Sequence, residues 1–154
     1  MKILMVCLGN ICRSPLAEGI LQERAWKAGL DWSVESAGTL RYHVGSAPHP
    51  MSVSVARQNG IDISGQRARH FKAEDFDRFD RIFAMSYDVL EEMRDIAGRK
   101  FDPEKADLLL NILQPGEDLD VPDPYTGPPE AFQDVFRMVD KACTRFVDMH
   151  KADS

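Results

Sequence analysis

A short apolar run, Ile3 to Val6, leads straight into Cys7, and a Ser14-Pro15 pair then opens a helical pattern. The run shows no polar alternation, which is consistent with a strand buried on both faces. Ser is a favoured helix N-cap and Pro a favoured first helical residue, so the sequence predicts Ser14 as the cap. Glu18 falls one position too late for a strict capping box. The helix is expected to run to about Ala28, with Ala17, Ile20, Leu21, Ala25 and Ala28 on one face, and Gly29 stops it. A chain that begins strand, tight loop, helix has few ways to continue.

The remaining segments keep the same rhythm. Trp32 to Ala37 reads as a strand and Gly38 to Pro50 as a loop rich in Gly, Pro and His. Met51 to Asn59 reads as a helix ended by Gly60, and Phe71 to Phe79 as room for a short helix. Arg81 to Met85 is a third strand, Ser86 to Ala97 a helix ended by Gly98, and Ala106 to Ile112 a fourth strand. Gln114 to Pro129 is an acidic, Pro-rich loop. Ala131 to Lys151 is the last helix, with Phe132, Val135, Phe136, Val139, Cys143, Phe146 and Val147 at helical spacing. Strands alternating with helices predict a parallel sheet covered on both faces and joined by crossovers. In such sheets ligands bind beyond the carboxyl ends of the strands. Cys7 is expected at such an end.

A length of 154 residues suits one domain spanning 1–154, and 44% hydrophobic residues suffice for a core. The formal net charge of −6 argues against nucleic acid as a partner, because phosphate neutralisation needs a basic surface. It argues equally against a membrane-surface role, and no apolar run approaches the ~20 residues of a membrane span. Asn10 and Arg13 interrupt the first apolar run, which makes it a poor signal peptide. An odd count of 3 cysteines is no disulfide framework and fits a reducing, cytoplasmic setting. The expected assembly is a monomer or weak dimer.

The loop between strand and helix carries chemistry. The thiolate, not the thiol, is the good nucleophile, and both a helix N-terminus and Arg13 stabilise negative charge on Cys7. The N–H groups from Leu8 through Gly9, Asn10, Ile11 and Cys12 to Arg13 can point inward at phosphate oxygens. Arg13 can grip two of those oxygens at once, which Lys could not. Gly9 and Asn10 tolerate left-handed backbone. The loop lacks the Gly-Lys-Ser/Thr ending of a Walker motif, so no metal or other cofactor is required. Ser14 has a second reading beside its cap, as a hydroxyl donor to the Cys7 sulfur. Cys12 has two readings: a small buried residue, or a redox partner that forms a disulfide with Cys7 and protects it.

Cleaving a phosphate ester also needs a proton for the leaving oxygen. Composition selects no donor among 25 acidic residues. The candidate is Asp123, in Val121-Pro122-Asp123-Pro124-Tyr125, where flanking prolines stiffen the backbone. A plain turn aspartate is the competing reading.

The string Cys7-Leu8-Gly9-Asn10-Ile11-Cys12-Arg13-Ser14-Pro15 resembles the signature of the low-molecular-weight protein tyrosine phosphatases, and so does Asp123-Pro124-Tyr125. Ser36-Ala37-Gly38-Thr39, Gly60-Ile61 and Phe79-Asp80 extend the resemblance over essentially the whole chain. It implies a four-stranded parallel sheet with helices on both sides and two-step hydrolysis of phosphotyrosine in proteins through a phosphocysteine. Cys7 would be the nucleophile, Arg13 the phosphate ligand, and Asp123 the acid and then the base. Asn10 and Ser36 would hold the loop, and Tyr42 and Tyr125 would wall the cleft. Gln66, Ser86 and His49 stand where many relatives have other residues, which bears on tuning and substrate preference. His43 and His49 are either anion-tuning residues or solvated loop residues.

Rivals within the fold are an arsenate reductase, which needs two further cysteines close together, and a phosphoarginine phosphatase, which has Thr where this chain has Ile11. An inactive phosphopeptide-binding module is the rival from another class. It predicts loss of the nucleophile or the acid, and both are present.

Overall fold

Alternate side chains of β1 (Lys2–Cys7) enter two different cores. Ile3, Met5 and Cys7 join one cluster, and Leu4 and Val6 the other. This is the period of a strand, and because both faces are apolar the run shows no polar alternation. The computed structural model describes residues 1–151. Beside β1 lie β2 (Ser33–Gly38) and β3 (Arg81–Ala84), and β4 (Ala106–Leu108) pairs outside β3. All pairings are parallel, in the order β2-β1-β3-β4, and Cys7 sits opposite Gly38.

Helices cover both faces, as expected. α1 (Arg13–Lys27), α2 (Pro50–Gln58) and α5 (Pro129–Lys151) bury apolar residues with Ile3 and Met5. The short α3 (Asp75–Arg78) and α4 (Tyr87–Ala97) pack on the face of Leu4 and Val6. All seven residues expected on the inner face of the last helix are buried.

Three local expectations need correction. Ser14 is not the cap of α1: the helix starts at Arg13 with Cys12 in the cap position, and no side chain caps it. Pro15 fits the first turn all the same, since its missing N–H would have no helical partner there. The fourth strand ends at Leu108, and Leu109–Ile112 form a 3-10 turn. A continuous apolar run carries no period from which that change could be read. Gly9 is not left-handed; only Asn10 in the loop is, at φ 57°.

No helix among the described residues is long and apolar enough to cross a membrane.

Candidate active site

The loop after β1 is held in place by one asparagine. The left-handed backbone of Asn10 turns its side chain inward, where it is buried. Its Oδ1 accepts from the Arg69 N–H at 3.0 Å, and its Nδ2 donates to Ser14 Oγ at 2.8 Å and Ser36 Oγ at 3.0 Å. Two glycines let neighbouring chain approach. A Cβ on Gly38 would lie 2.9 Å from the Leu8 carbonyl oxygen, and a Cβ on Gly9 would lie 3.0 Å from the His43 ring.

Ser14 makes up for its absence from the cap. It is fully buried, and its Oγ lies 2.9 Å from Cys7 Sγ. Because that oxygen already accepts from Asn10, its own proton is free for the sulfur. The Ala37 carbonyl, at 3.5 Å, is the more distant acceptor. Arg13 is buried, and its guanidinium donates to the Val121 carbonyl at 3.0 Å. The other terminal nitrogen lies 3.7 Å from Asp123 Oδ2. Asp123 stays about half exposed, and its Oδ1 accepts from the Tyr125 N–H at 3.1 Å. The aspartate thus forms the turn that the plain reading expected and also faces Arg13.

Cys7, Arg13 and Asp123 line one cavity of about 290 Å³, with Leu8, Gly9, Ile11 and Cys12 in its floor. Among the loop residues expected to bind phosphate, Asn10 and Ser14 do not line it; their side chains lie beneath the loop. Tyr42 and Tyr125 stand at its rim, both exposed. Leu40, which was not among the expected site residues, and His43, read as an anion-tuning or a solvated residue, complete the lining. The His43 ring meets Tyr42 edge-on at 4.8 Å and Tyr125 at 6.2 Å.

Cys12 is buried, and its thiol is pushed up to about 12, first by that burial and then by Cys7 and Asp123. It is a protonated, inert thiol beside Cys7 unless an oxidant acts.

The three departures each have a structural task. Gln66 donates to the Pro15 carbonyl at 3.1 Å. Ser86 caps α4 by accepting from Val89 N–H at 3.4 Å. His49 caps α2, its Nδ1 accepting from Met51 N–H at 3.0 Å, and its ring stacks on Phe132 at 4.9 Å. Burial lowers its pKa and keeps Nδ1 free to accept.

Sequence reasoning missed Glu18 and Asp120. Glu18 Oε1 accepts from Ser36 Oγ at 2.7 Å, and Asp120 Oδ1 accepts from the Tyr87 N–H at 2.8 Å. Neither sits in a motif of its own; the misplaced capping-box position of Glu18 was the only trace.

Together these features define a parallel α/β domain whose first strand delivers a cysteine, and whose first helix an arginine, to one concave loop. The family model for low molecular weight phosphotyrosine protein phosphatase matches residues 2–154, and the chain belongs to that family. It is a hydrolase acting on phosphate monoesters. The low molecular weight protein-tyrosine-phosphatase YfkJ of Bacillus subtilis is 37% identical over 149 residues, covering 95% of this chain and 93% of the relative. The crystal structure of YfkJ superposes with a TM-score of 0.90, covering 100% of this chain and 96% of that one, at 34% identity. The low molecular weight phosphotyrosine protein phosphatase of Sus scrofa is 31% identical, covering 96% and 94%. A structure of the YwlE arginine phosphatase, a cysteine-to-serine variant with its active-site serine phosphorylated, has a TM-score of 0.89 at 25% identity, covering 99% and 97%.

Proposed function

We propose that this chain hydrolyses phosphotyrosine in proteins, and other aryl phosphates, through a phosphocysteine. The observation that carries the reading is the joint placement of Cys7, Arg13 and Asp123 around one cavity. In the first step the Cys7 thiolate attacks phosphorus, the P–O bond to the leaving group breaks, and Asp123 gives its proton to the departing oxygen. Arg13 and the loop N–H groups hold the equatorial oxygens as charge spreads over them. In the second step Asp123 takes a proton from water, water oxygen bonds to phosphorus and the P–S bond breaks. Ser14 donates to the departing sulfur, phosphate leaves, and Asp123 is again protonated for the next cycle.

Tyr42 and Tyr125 would flank an aromatic leaving group, as pocket walls usually do. The likeness to the YwlE arginine phosphatase supports phosphoarginine as the second substrate class, and Ile11 favours the aryl one. An arsenate reductase would need a cysteine pair close at hand, but Cys143 is fully buried on the inner face of α5. Cys12 serves as a redox partner of Cys7 in this reading. The protein would act as a monomer or weak dimer in a reducing, cytoplasmic setting.

The test is hydrolysis of p-nitrophenyl phosphate and of phosphotyrosyl and phosphoarginyl peptides, with chelator present. Wild type is expected to turn over aryl substrates, Cys7→Ser to be inactive, and Asp123→Ala to lose roughly a factor of 10²–10⁴ on the phosphotyrosyl peptide, whose leaving oxygen needs the proton, and less on p-nitrophenyl phosphate. Activity retained by Cys7→Ser overturns the mechanism, and a preference for phosphoarginine overturns the substrate class.

A further inference from the structure

The hydrogen bonds behind the loop do not stop at Ser36. They run from Cys7 Sγ to Ser14 Oγ (2.9 Å), Asn10 Nδ2 (2.8 Å), Ser36 Oγ (3.0 Å) and Glu18 Oε1 (2.7 Å). The directions are fixed by one group. Asn10 donates both amide protons, one to each serine, so each hydroxyl must send its own proton outward. When Cys7 is a thiolate, Ser14 sends it to the sulfur at 2.9 Å, and Ser36 sends it to Glu18. Without an acceptor at Glu18, Ser36 would have a buried proton to place and would compete for Asn10.

Glu18 faces a second cavity, behind the site and separate from it, of about 570 Å³. Glu23 and Asp62 line that cavity too, Glu23 paired with Lys27 at 3.2 Å and Asp62 under the influence of Arg57. Glu35 on β2 acts on Glu18 as a like charge. Among the described residues, the one cation that acts on Glu18 is Arg69, which is engaged elsewhere: 3.0 Å from Asp75 and 3.8 Å from Glu35. Gln66 lines the same cavity, and its buried Oε1 has no hydrogen-bond partner among the described residues. Its Nε2 is bound to the Pro15 carbonyl, one turn of α1 from Glu18. An acceptor left over in this cavity suits a carboxylic acid, which has a proton to give, and opposes a carboxylate, which has none.

We propose that Glu18 is a positioning residue of this site. It anchors the chain that presents the Ser14 hydroxyl to the Cys7 sulfur, and it does so best as the neutral acid. Ionised, it keeps the Ser36 bond but adds a negative charge behind a loop that must hold a thiolate and a phosphate together. Burial, opposed by the Ser36 hydrogen bond and reinforced by Glu35, pushes the group up to about 7, so the change falls within the working pH range. The reading rests on the phosphatase function proposed above.

Wild type, Glu18→Gln and Glu18→Ala are compared on p-nitrophenyl phosphate at pH 5.5 and 8. Gln is neutral like the acid and keeps one acceptor for Ser36 and one donor facing the cavity. The expected result is that kcat/KM falls from pH 5.5 to 8 by roughly fivefold more in wild type than in Glu18→Gln, as a charge change behind the loop predicts. Glu18→Ala is expected to lose roughly tenfold at pH 5.5, and Gln to restore most of that. Superimposable pH profiles for wild type and Glu18→Gln overturn the proposal, even if Ala fails to fold. A substrate-free measurement separates this from failure of the phosphatase reading. The ¹⁵N shift of the Asn10 side-chain amide is expected to titrate near pH 7 in wild type and not in Glu18→Gln. Absence of that titration overturns the proposal whether or not the enzyme turns over.

Discussion

Arg13 shows how much one side chain is asked to do. Its guanidinium is buried, donates to the Val121 carbonyl at 3.0 Å and still lines the cavity with Cys7. A planar fork can hold the acid loop with one nitrogen and phosphate with the others, whereas an ammonium on a flexible stem cannot. Arg13→Lys is therefore expected to lower kcat/KM on aryl phosphates by roughly a hundredfold or more, the usual loss when a transition-state donor is misplaced. Steady-state kinetics on p-nitrophenyl phosphate checks this, and a loss below about threefold would contradict the role. At this scale the sequence was informative where a residue's setting is distinctive. Cys7 and Arg13 alone are an ordinary pair; the strand before them, the Gly-Asn between them and the Ser-Pro after them mark the loop. Ser14 was read with the right sulfur contact and the wrong cap, because a Ser-Pro pair looks the same at the cap and inside the first turn. Glu18 was invisible as a site residue, since one glutamate on a helix does not announce that its face is covered.

The elements explain why the acid arrives where it does. The segment before Asp123 is fastened at several points. Asn111 Nδ2 donates to Asp118 Oδ1 at 3.0 Å, the Val121 N–H donates to the Met85 carbonyl at 2.8 Å, and Asp120 accepts from the first N–H of α4 at 2.8 Å. Asp120 thus joins the acid loop to the helix that follows β3. Its replacement by Ala should free an N–H at the start of α4, at about 1 kcal/mol, and loosen the loop that carries Asp123. The kinetic signature should depend on the leaving group. Asp120→Ala is expected to slow a poor leaving group, which needs the proton, by several-fold more than p-nitrophenolate, which hardly does. Equal losses on both substrates would mean that Asp120 serves stability alone. The long loop was legible as a functional segment from its prolines and length. Its fastenings were not, because they join residues that lie far apart in sequence.

For the whole molecule, the alternation of apolar runs and helical patterns was enough to give the layers, because a strand that is apolar on both faces leaves few other places to sit. The strand order, β2-β1-β3-β4, is a matter of packing that no local pattern states, and only the folded chain shows it. The folded state also places a cost on one of its own functional groups. Glu18 has its ordinary value near 4.5 in the unfolded chain and about 7 in the folded one, with burial the largest cause. Between those values the folded state binds more protons than the unfolded state, so this group's contribution to stability falls as pH rises through that window. Below it the group is neutral in both states and costs nothing by ionisation; above it the full cost of a buried charge remains. Glu18→Gln removes that cost without removing the acceptor for Ser36. The variant is therefore expected to melt roughly a few degrees above wild type at pH 8 and together with it at pH 4. Thermal unfolding followed by circular dichroism at the two pH values measures the difference. A variant less stable than wild type at pH 8 would mean that the ionised carboxylate is a net stabilising partner, and the neutral form could then no longer be the one for which the site is built.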